Sequence, residues 1–475
     1  MDKEADSCEF DVKTIDEFHR AARFSDIEAV QHFLDKGVDV NAQSESRGSA
    51  LQSAACCDSR DSIEILQLLL DKGADVNNAP GRYYGGALAA AASCGNIHAV
   101  RLLLDRGADV HARGKYYGNA LAGAAFSGNF QVLKLLVEKG ADVNAQGGSY
   151  GSPLQNAAFR GDVKAMQLLI AKGADVNSKS GDDGNALQLA AASGRVTAVR
   201  LLLKKGADVN AQGTGKHGTA LQNAASRGHC KVLQLLLENG ADVNAQSGLY
   251  GNALQTAAYN VEFEAFQLLL DGGADVNAQG GKYGNALQAV AMTSKLGPLR
   301  LLLAKGSDVN AQGGYHGSAL QAAAYYGQIE SVRLLLNKGA DVNAQGGFHG
   351  NALQAAAYKG SVEAVQLLLD HGADANVRGG EYGTALQAAL APGWGGDTKR
   401  TNALAVAEIL LEHGADATAD IPGSKYGNAL GAAKEMWGLG PNLMKLLRSG
   451  VCKKREPGAT EDEPRRKSRR LNASG

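Results

Sequence analysis

The sequence predicts an all-α solenoid of about 12–13 helix-turn-helix units with protruding β-hairpin turns. One observation is a repeated turn, usually written Gly-Ala-Asp-Val-Asn, whose aspartate stands at positions 39, 75, 109, 142, 175, 208, 242, 275, 308, 341, 374 and 416. Nine of the eleven spacings between these aspartates are 33 or 34 residues. The other observation is that each repeat carries two helical patterns separated by a glycine or a short turn. One such unit cannot bury its own apolar faces, so we expect neighbouring units to stack into a continuous core.

The first helix of each unit is indicated by its capping residues. In the unit that begins at Gly350, Asn351 precedes Ala352-Leu353-Gln354. This is a capping-box pattern, in which the Asn and Gln side chains each satisfy a backbone N–H of the first turn. The alanines at 355–357 then make a thin helix that neighbours can approach closely, and Gly360 ends it.

The second helix is indicated by its apolar spacing. Val362, Val365, Leu368 and Leu369 recur at helical intervals and give this helix one apolar stripe. Gly372 stops the helix, and the following turn leads to a hairpin tip. The aspartates and asparagines of these turns are predicted to bond their own backbone.

These motifs resemble the ankyrin-repeat family from about residue 14 to residue 450, and in particular the long Asn-Ala-Leu-Gln type common in filamentous fungi. The usual opening of the family's first helix is Thr-Pro-Leu-His. Here alanine replaces the proline in most copies, Pro153 being an exception, and glutamine replaces the histidine at positions 52, 155, 188, 222, 255, 288, 321, 354 and 387. The resemblance implies that hairpin tips and first helices form a concave face to which one or more partner proteins bind.

Charge divides the chain into three segments. Residues 1–13 are predicted to be an acidic leader and residues 14–450 the ankyrin-repeat array, with an N-terminal capping unit at 14–42 and a C-terminal one at 428–450. Residues 451–475 hold eight Lys and Arg against four Asp and Glu, whereas residues 1–450 hold 40 against 45. The array is therefore mildly acidic, and the tail is basic and predicted to be disordered.

Two interruptions are expected within the array. Gly297-Pro298 falls inside the second helix of the unit that begins at Asn285. Because proline suits the first position of a helix, we expect that helix to start late, at Pro298. The final spacing of 42 residues leaves nine residues beyond the period of 33, and these include the stretch that begins at Pro392.

Composition excludes several classes of protein. No run of eighteen apolar residues exists, so we expect no membrane partner. The acidic start does not fit a signal peptide. The six cysteines show no framework spacing, which predicts a reducing compartment. We expect the protein to be a monomer.

Two glycine motifs look chemical, but the repeat explains them. Residues 213–218 match G-x-G-x-x-G and residues 147–151 match G-x-S-x-G, yet both occupy the hairpin-tip position. Neither has the βαβ unit or strand-to-helix elbow that its motif needs. The ten histidines and the pair Cys56-Cys57 lack metal-ligand spacing. We therefore predict no catalytic residues, no cofactor and no metal site, and hence no enzyme.

The hairpin tips supply candidates for partner binding. Ten tips carry Tyr or His just before a glycine, and we interpret this ring as packing on adjacent hairpins. The residue before that ring varies freely and is the better candidate for specificity, since aromatic anchors often carry binding energy. The predicted partner-binding residues are Tyr83, Tyr116, Lys216, Leu249, Lys282, Tyr315, Phe348 and Glu381 in the tips, and Tyr259, Tyr325 and Tyr358 late in first helices.

The basic tail carries a second signal. Two clusters of Lys and Arg lie at the spacing of a bipartite nuclear-import sequence, and the alternative interpretation is a solubilising tail. The residues predicted to bind an import receptor are Lys453, Lys454, Arg455, Arg465, Arg466, Lys467, Arg469 and Arg470. Ser468 lies in a context that resembles a basophilic kinase site, where phosphate would offset the positive charge.

Three classes of function follow from these patterns. The first is a non-catalytic, soluble scaffold that enters the nucleus and acts as a transcription co-regulator through its concave face, which the resemblance implies. The second is a cytoplasmic adaptor that presents substrates for degradation or signalling, although no F-box-like segment is visible. Direct nucleic-acid binding is not expected, because the array is acidic and lacks a basic face.

Overall fold

The computed structural model describes residues 11–44, 48–78, 86–114, 118–147, 151–179, 184–213, 218–391, 397–419 and 428–429. Within these ranges the chain forms 24 helices in 12 pairs, which confirms the predicted all-α architecture of repeated helix pairs. The first helices of the pairs are α1 Val12–Arg23, α3 Ala50–Ala55, α5 Ala87–Cys94, α7 Ala120–Ser127, α9 Pro153–Arg160, α11 Ala186–Ala192, α13 Ala220–Ala225, α15 Ala253–Asn260, α17 Ala286–Ala291, α19 Ala319–Tyr325, α21 Ala352–Lys359 and α23 Ala385–Leu390.

The second helices are mostly nine residues long and lie one short turn after the first. They are α2 Ile27–Asp35, α4 Arg60–Asp71, α6 Ile97–Asp105, α8 Phe130–Glu138, α10 Val163–Ala171, α12 Val196–Lys204, α14 Cys230–Glu238, α16 Phe263–Asp271, α18 Leu296–Ala304, α20 Ile329–Asn337, α22 Val362–Asp370 and α24 Asp397–Glu412. No helix in the described part of the chain combines the length and the apolar character needed to cross a membrane.

The predicted capping boxes are confirmed. In α21 the Asn351 side chain accepts from the backbone N–H of Gln354 at 2.8 Å, and the Gln354 side chain accepts from the N–H of Asn351 at 2.8 Å. Gly360 ends this helix with φ at 74°, a left-handed conformation that favours glycine. The same reciprocal bonds occur in α3, α9, α11, α13, α15, α17 and α23.

The helices divide between two compact units. In the first unit, Met1–Ala323 with Glu330–Ala340, each first helix from α1 to α15 packs on the next first helix, and each second helix from α2 to α14 packs on the next second helix. In the second unit, Ala324–Ile329 with Asp341–Gly475, α21 packs on α22 and α23, and α24 packs on the same two helices. The cores are built from the alanines and single leucines of the first helices and the leucine-rich stripe of the second helices.

Seven hairpin tips in the described part of the chain are each closed by a single antiparallel bridge. The bridged pairs are Ser44 and Gly48, Arg113 and Asn119, Ser247 and Gly251, Gly280 and Gly284, Gly313 and Gly317, Gly346 and Gly350, and Gly379 and Gly383. At Gly314, φ is 62°, and an added Cβ would overlap the backbone of Tyr283 and Gly284 in the preceding tip. Glycine is therefore needed there for close approach of consecutive tips as well as for the turn.

The turns after the second helices bond both within and between repeats. As predicted, the aspartate accepts from the backbone two residues on; the Asn277 N–H, for example, donates to Asp275 at 2.9 Å. The sequence analysis did not foresee the second use of the asparagine. Asn277 donates its amide to the Gly306 carbonyl at 3.3 Å and accepts from the Asp308 N–H at 2.8 Å, which ties two consecutive turns together.

Three boundaries differ from expectation. The late start expected for the helix at Pro298 is wrong: α18 begins at Leu296, in the same register as its neighbours, and Pro298 is buried in its first turn. A first-turn N–H has no partner within the helix, so proline loses nothing there. The first helix α1 begins at Val12, two residues inside the predicted leader, with Asp11 as its cap. Part of the extra sequence after Pro392 lengthens α24 to 16 residues.

Candidate protein-binding surface

The variable tip positions lie on backbone that is bonded from tip to tip within each of the two compact units. We use the name tip row for these equivalent positions, which are Leu249, Lys282 and Tyr315 in the first unit and Phe348 and Glu381 in the second. In the first unit, the Lys282 N–H donates to the Leu249 carbonyl and the Tyr315 N–H donates to the Lys282 carbonyl, both at 3.0 Å. In the second unit, the Glu381 N–H donates to the Phe348 carbonyl at 3.1 Å. These bonds hold the backbone of consecutive tips together and leave the side chains pointing outward.

The apolar members of the tip row are among the exposed large hydrophobic residues of the described chain. Leu249 is 38% exposed, Tyr315 41% and Phe348 38%. Lys282 is exposed and Glu381 is half-buried. Exposed rings and a leucine at fixed spacing give a surface that can bury apolar area only against another molecule.

In the tips that the structure describes, the ring just before the glycine packs as the sequence predicts. In the first unit, Tyr259 from the end of α15 lies between two tip rings, 4.9 Å from Tyr250 and 4.7 Å from Tyr283 between ring centroids. The planes of Tyr259 and Tyr283 are within 13° of parallel. The stack joins one first helix to its own tip and to the next.

The second unit repeats this arrangement with a longer stack. Tyr325 lies 4.6 Å from His349, His349 lies 5.1 Å from Tyr358, and Tyr358 lies 4.8 Å from Tyr382. Lys359 adds a cation–π contact, with its ammonium 5.4 Å from the Tyr325 centroid. Tyr259, Tyr325 and Tyr358, predicted to bind partners, are thus half-buried inside stacks, and a partner could reach only their edges.

Several predicted residues lie outside the described residues. They are Tyr83, Tyr116 and Lys216 of the tips, the import residues Lys453, Lys454, Arg455, Arg465, Arg466, Lys467, Arg469 and Arg470, and Ser468. The C-terminal capping unit at 428–450 is described only at 428–429. The prediction that these residues bind partners stays a prediction.

The repeat matches a known family along most of the chain. A family model described as ankyrin repeats (three copies) matches residues 18–114, 85–147, 121–213, 154–247, 212–280, 254–346 and 345–421. The chain belongs to the ankyrin-repeat family. Ankyrin repeats are protein–protein interaction scaffolds and typically have no catalytic activity. No curated protein matches the chain.

The ankyrin array also holds a cleft that the sequence analysis missed. It has a volume of 290 Å³ and lies where the tip at 247–251 meets α13, the stretch that follows it, and α15. Asn223, Arg227, Leu249 and Asn260 are among its lining residues. One feature of the sequence could have indicated this cleft. The residue after the capping glutamine is alanine in most later units but is the polar asparagine at 223.

Titratable groups in the described part of the ankyrin array show no arrangement suited to metal binding. No group of three or more His, Cys, Asp or Glu side chains lies close enough to hold an ion in those ranges. One histidine is strongly perturbed, since burial, with a smaller contribution from the nearby Lys282 ammonium, lowers the pKa of His316 to about 4. His316 packs edge-on against Tyr315 at 5.0 Å and therefore supports the tip row as a neutral ring.

Proposed function

We propose that this protein is a non-catalytic nuclear scaffold that acts as a transcription co-regulator by binding partner proteins through its tip row. The observation that carries the binding proposal is the exposure of Leu249 and Tyr315 in the first unit and of Phe348 in the second, on backbone held by bonds between tips within each unit. These bonds fix the tip backbone inside each unit, so little conformational entropy is lost there when a partner docks. Aromatic anchors of this kind commonly contribute a large share of binding energy.

The binding proposal is tested in two steps. Proximity labelling of the full-length protein, compared with the chain lacking residues 451–475, identifies partners. Tyr315→Ala, Phe348→Ala and the double variant are then measured against the strongest purified partner. We expect the double variant to weaken binding by at least about 1 kcal/mol, which is a hot-spot magnitude.

Phe263→Ala is the matched control for this experiment. Phe263 is 49% exposed and lies at the start of α16, a second helix, away from the tips. Its substitution removes a similar exposed ring and should leave the affinity unchanged. Normal partner binding by the double variant, with an unchanged thermal transition, would remove the tip row from the proposal.

The nuclear assignment rests on the charge of the tail, which is net +4 over residues 451–475. Replacing Lys453, Lys454, Arg465, Arg466 and Lys467 with alanine should move a tagged protein from the nucleus to the cytoplasm. If the unaltered protein is cytoplasmic, the adaptor function takes the place of the co-regulator function. If the variant stays nuclear, the tail serves solubility and not import.

A further inference from the structure

The cleft beside Leu249 contains a buried amide with no internal partner. Asn223 is only 8% exposed, lines the cleft, and makes no side-chain hydrogen bond in the part of the chain that the structure describes. The equivalent Asn156 donates to the Ala122 carbonyl at 3.4 Å, and Thr256 donates to the Asn252 carbonyl at 2.8 Å. The Asn223 amide is therefore open to the cleft and available to an external group.

A guanidinium stands at the same cleft without a partner. Arg227 is exposed, and its side chain forms no ion pair or hydrogen bond with another described residue. Arg160, in the equivalent position of an earlier unit, donates to the Phe126 carbonyl at 3.0 Å instead. Glu262 lies beside Gly228 yet does not pair with Arg227. The guanidinium is thus available to an external acceptor.

The donors of two further lining residues are already used within the protein, and the tip adds an apolar wall. Ser226 and Asn260 donate to carbonyls of their own helices, at 2.8 and 2.9 Å. Leu249 and Tyr250 supply the wall on the tip side. The cleft therefore favours an anionic group carried on a short apolar stem.

We propose that this cleft binds the Asp or Glu side chain of an extended peptide segment of a partner protein. Arg227 pairs with the carboxylate, the Asn223 amide donates to it, and Leu249 covers the methylene stem. A planar guanidinium suits a carboxylate because the two can form parallel hydrogen bonds. At 290 Å³ the cleft is smaller than most pockets that enclose a whole small molecule, which fits the capture of one side chain. This inference rests on the proposed scaffold function and names the chemistry of the partner.

The test uses random 12-residue peptides displayed on phage and selected on the full-length protein. We expect the selected peptides to be enriched in Asp or Glu. The tightest peptide is then synthesised, together with analogues in which its acidic residue is replaced by the matching amide or by phosphoserine. Dissociation constants are measured for the wild type, Arg227→Gln, Asn223→Ala and the control Arg200→Gln, an exposed arginine of the second helix α12.

We expect Arg227→Gln and Asn223→Ala each to weaken binding of the acidic peptide by more than about tenfold, since hydrogen bonds to charged groups have this magnitude. Arg200→Gln should have no effect. The amide analogue should bind the wild-type protein as weakly as the acidic peptide binds Arg227→Gln. The amide analogue should bind Arg227→Gln only slightly more weakly still, because both changes remove the same interaction. Alanine already stands at the equivalent positions 289, 322, 355 and 388, so Asn223→Ala should fold normally.

The inference is wrong if no peptide is selected or if the selected peptides are not enriched in Asp or Glu. It is also wrong if the losses of affinity from the amide analogue and from Arg227→Gln add up, or if the phosphoserine analogue binds more tightly than the acidic peptide.

The carboxylate site and the tip row can fail separately. Peptides that lose affinity with Tyr315→Ala but not with Arg227→Gln would support the tip row and remove the carboxylate site. The opposite pattern would keep the cleft and remove the tip row.

Discussion

At the scale of a residue, His316 shows how burial in a tip changes acid–base behaviour. Burial, with a smaller contribution from the nearby positive Lys282, lowers its pKa from 6.5 to about 4. Between pH 6.5 and 4 the unfolded chain binds a proton at this histidine and the folded chain does not. The free energy of unfolding is therefore highest above pH 6.5 and falls as the pH falls from 6.5 to about 4.

His316→Tyr should remove this pH dependence, because most other tips carry tyrosine at the same position. The measurement is urea unfolding of both proteins from pH 7.5 to 4.5. Between pH 7.5 and 4.5 the wild type should lose roughly 1–3 kcal/mol more of its free energy of unfolding than the variant loses. His98→Gln, at an exposed position of α6, controls for the loss of one imidazole. Parallel stability curves for His316→Tyr and the wild type would contradict the prediction.

At the scale of an element, one buried glutamine connects the first helix to the next hairpin in α9, α11, α13, α15, α17 and α21. The Gln288 carbonyl accepts from the Asn285 N–H at 3.0 Å, and its amide donates to Ala311, Gly313 and Gly317 carbonyls at 3.3, 3.2 and 2.8 Å. The sequence analysis identified only the capping role of this residue. The glutamine that replaces the family's histidine is therefore also a bridge between repeats.

Gln288→Ala should lower the free energy of unfolding by about 1–3 kcal/mol, because it leaves a buried N–H and several carbonyls without their partner. Hydrogen exchange should accelerate at the tip 313–317 and stay unchanged in α6. The control Gln267→Ala removes a half-buried glutamine that bonds only Asp271 within α16, and should cost much less. Equal losses for the two variants would show that the bridge contributes nothing.

At the scale of the whole molecule, stability is distributed along the stack, because each repeat contacts only its neighbours. Leu236 is fully buried in α14, which packs on α12, α13 and α16. Leu236→Ala should cost about 2–5 kcal/mol locally and produce a separate, earlier transition in thermal or urea unfolding. Leu237→Ala, a half-buried leucine of the same helix, should produce a smaller shift. A single unshifted transition for Leu236→Ala would argue against its place in the core.

The sequence by itself determined the repeat, the helix pairs and their caps, because these depend on residues a few positions apart. Asn351 and Gln354 satisfy each other's backbone whatever surrounds them, and the leucine stripe of α22 follows from helical spacing. The start of α18 at Leu296 was not predicted. A proline fits any position of the first helical turn, so the position of Pro298 alone does not say where the helix begins. The local sequence pattern therefore predicts the helices but not every residue at which a helix begins.

The packing of repeats against one another determines which side chains have a partner in a neighbouring repeat and which face solvent. Asn223 and Asn156 are both asparagines after a capping glutamine, yet one bonds a carbonyl of the preceding helix and the other faces a cleft. Tyr259 and Tyr315 are both tyrosines near a tip, yet the first is stacked between two rings and the second is exposed. Partners about 33 residues apart meet only when units stack, so their distances depend on repeat geometry that no single unit encodes.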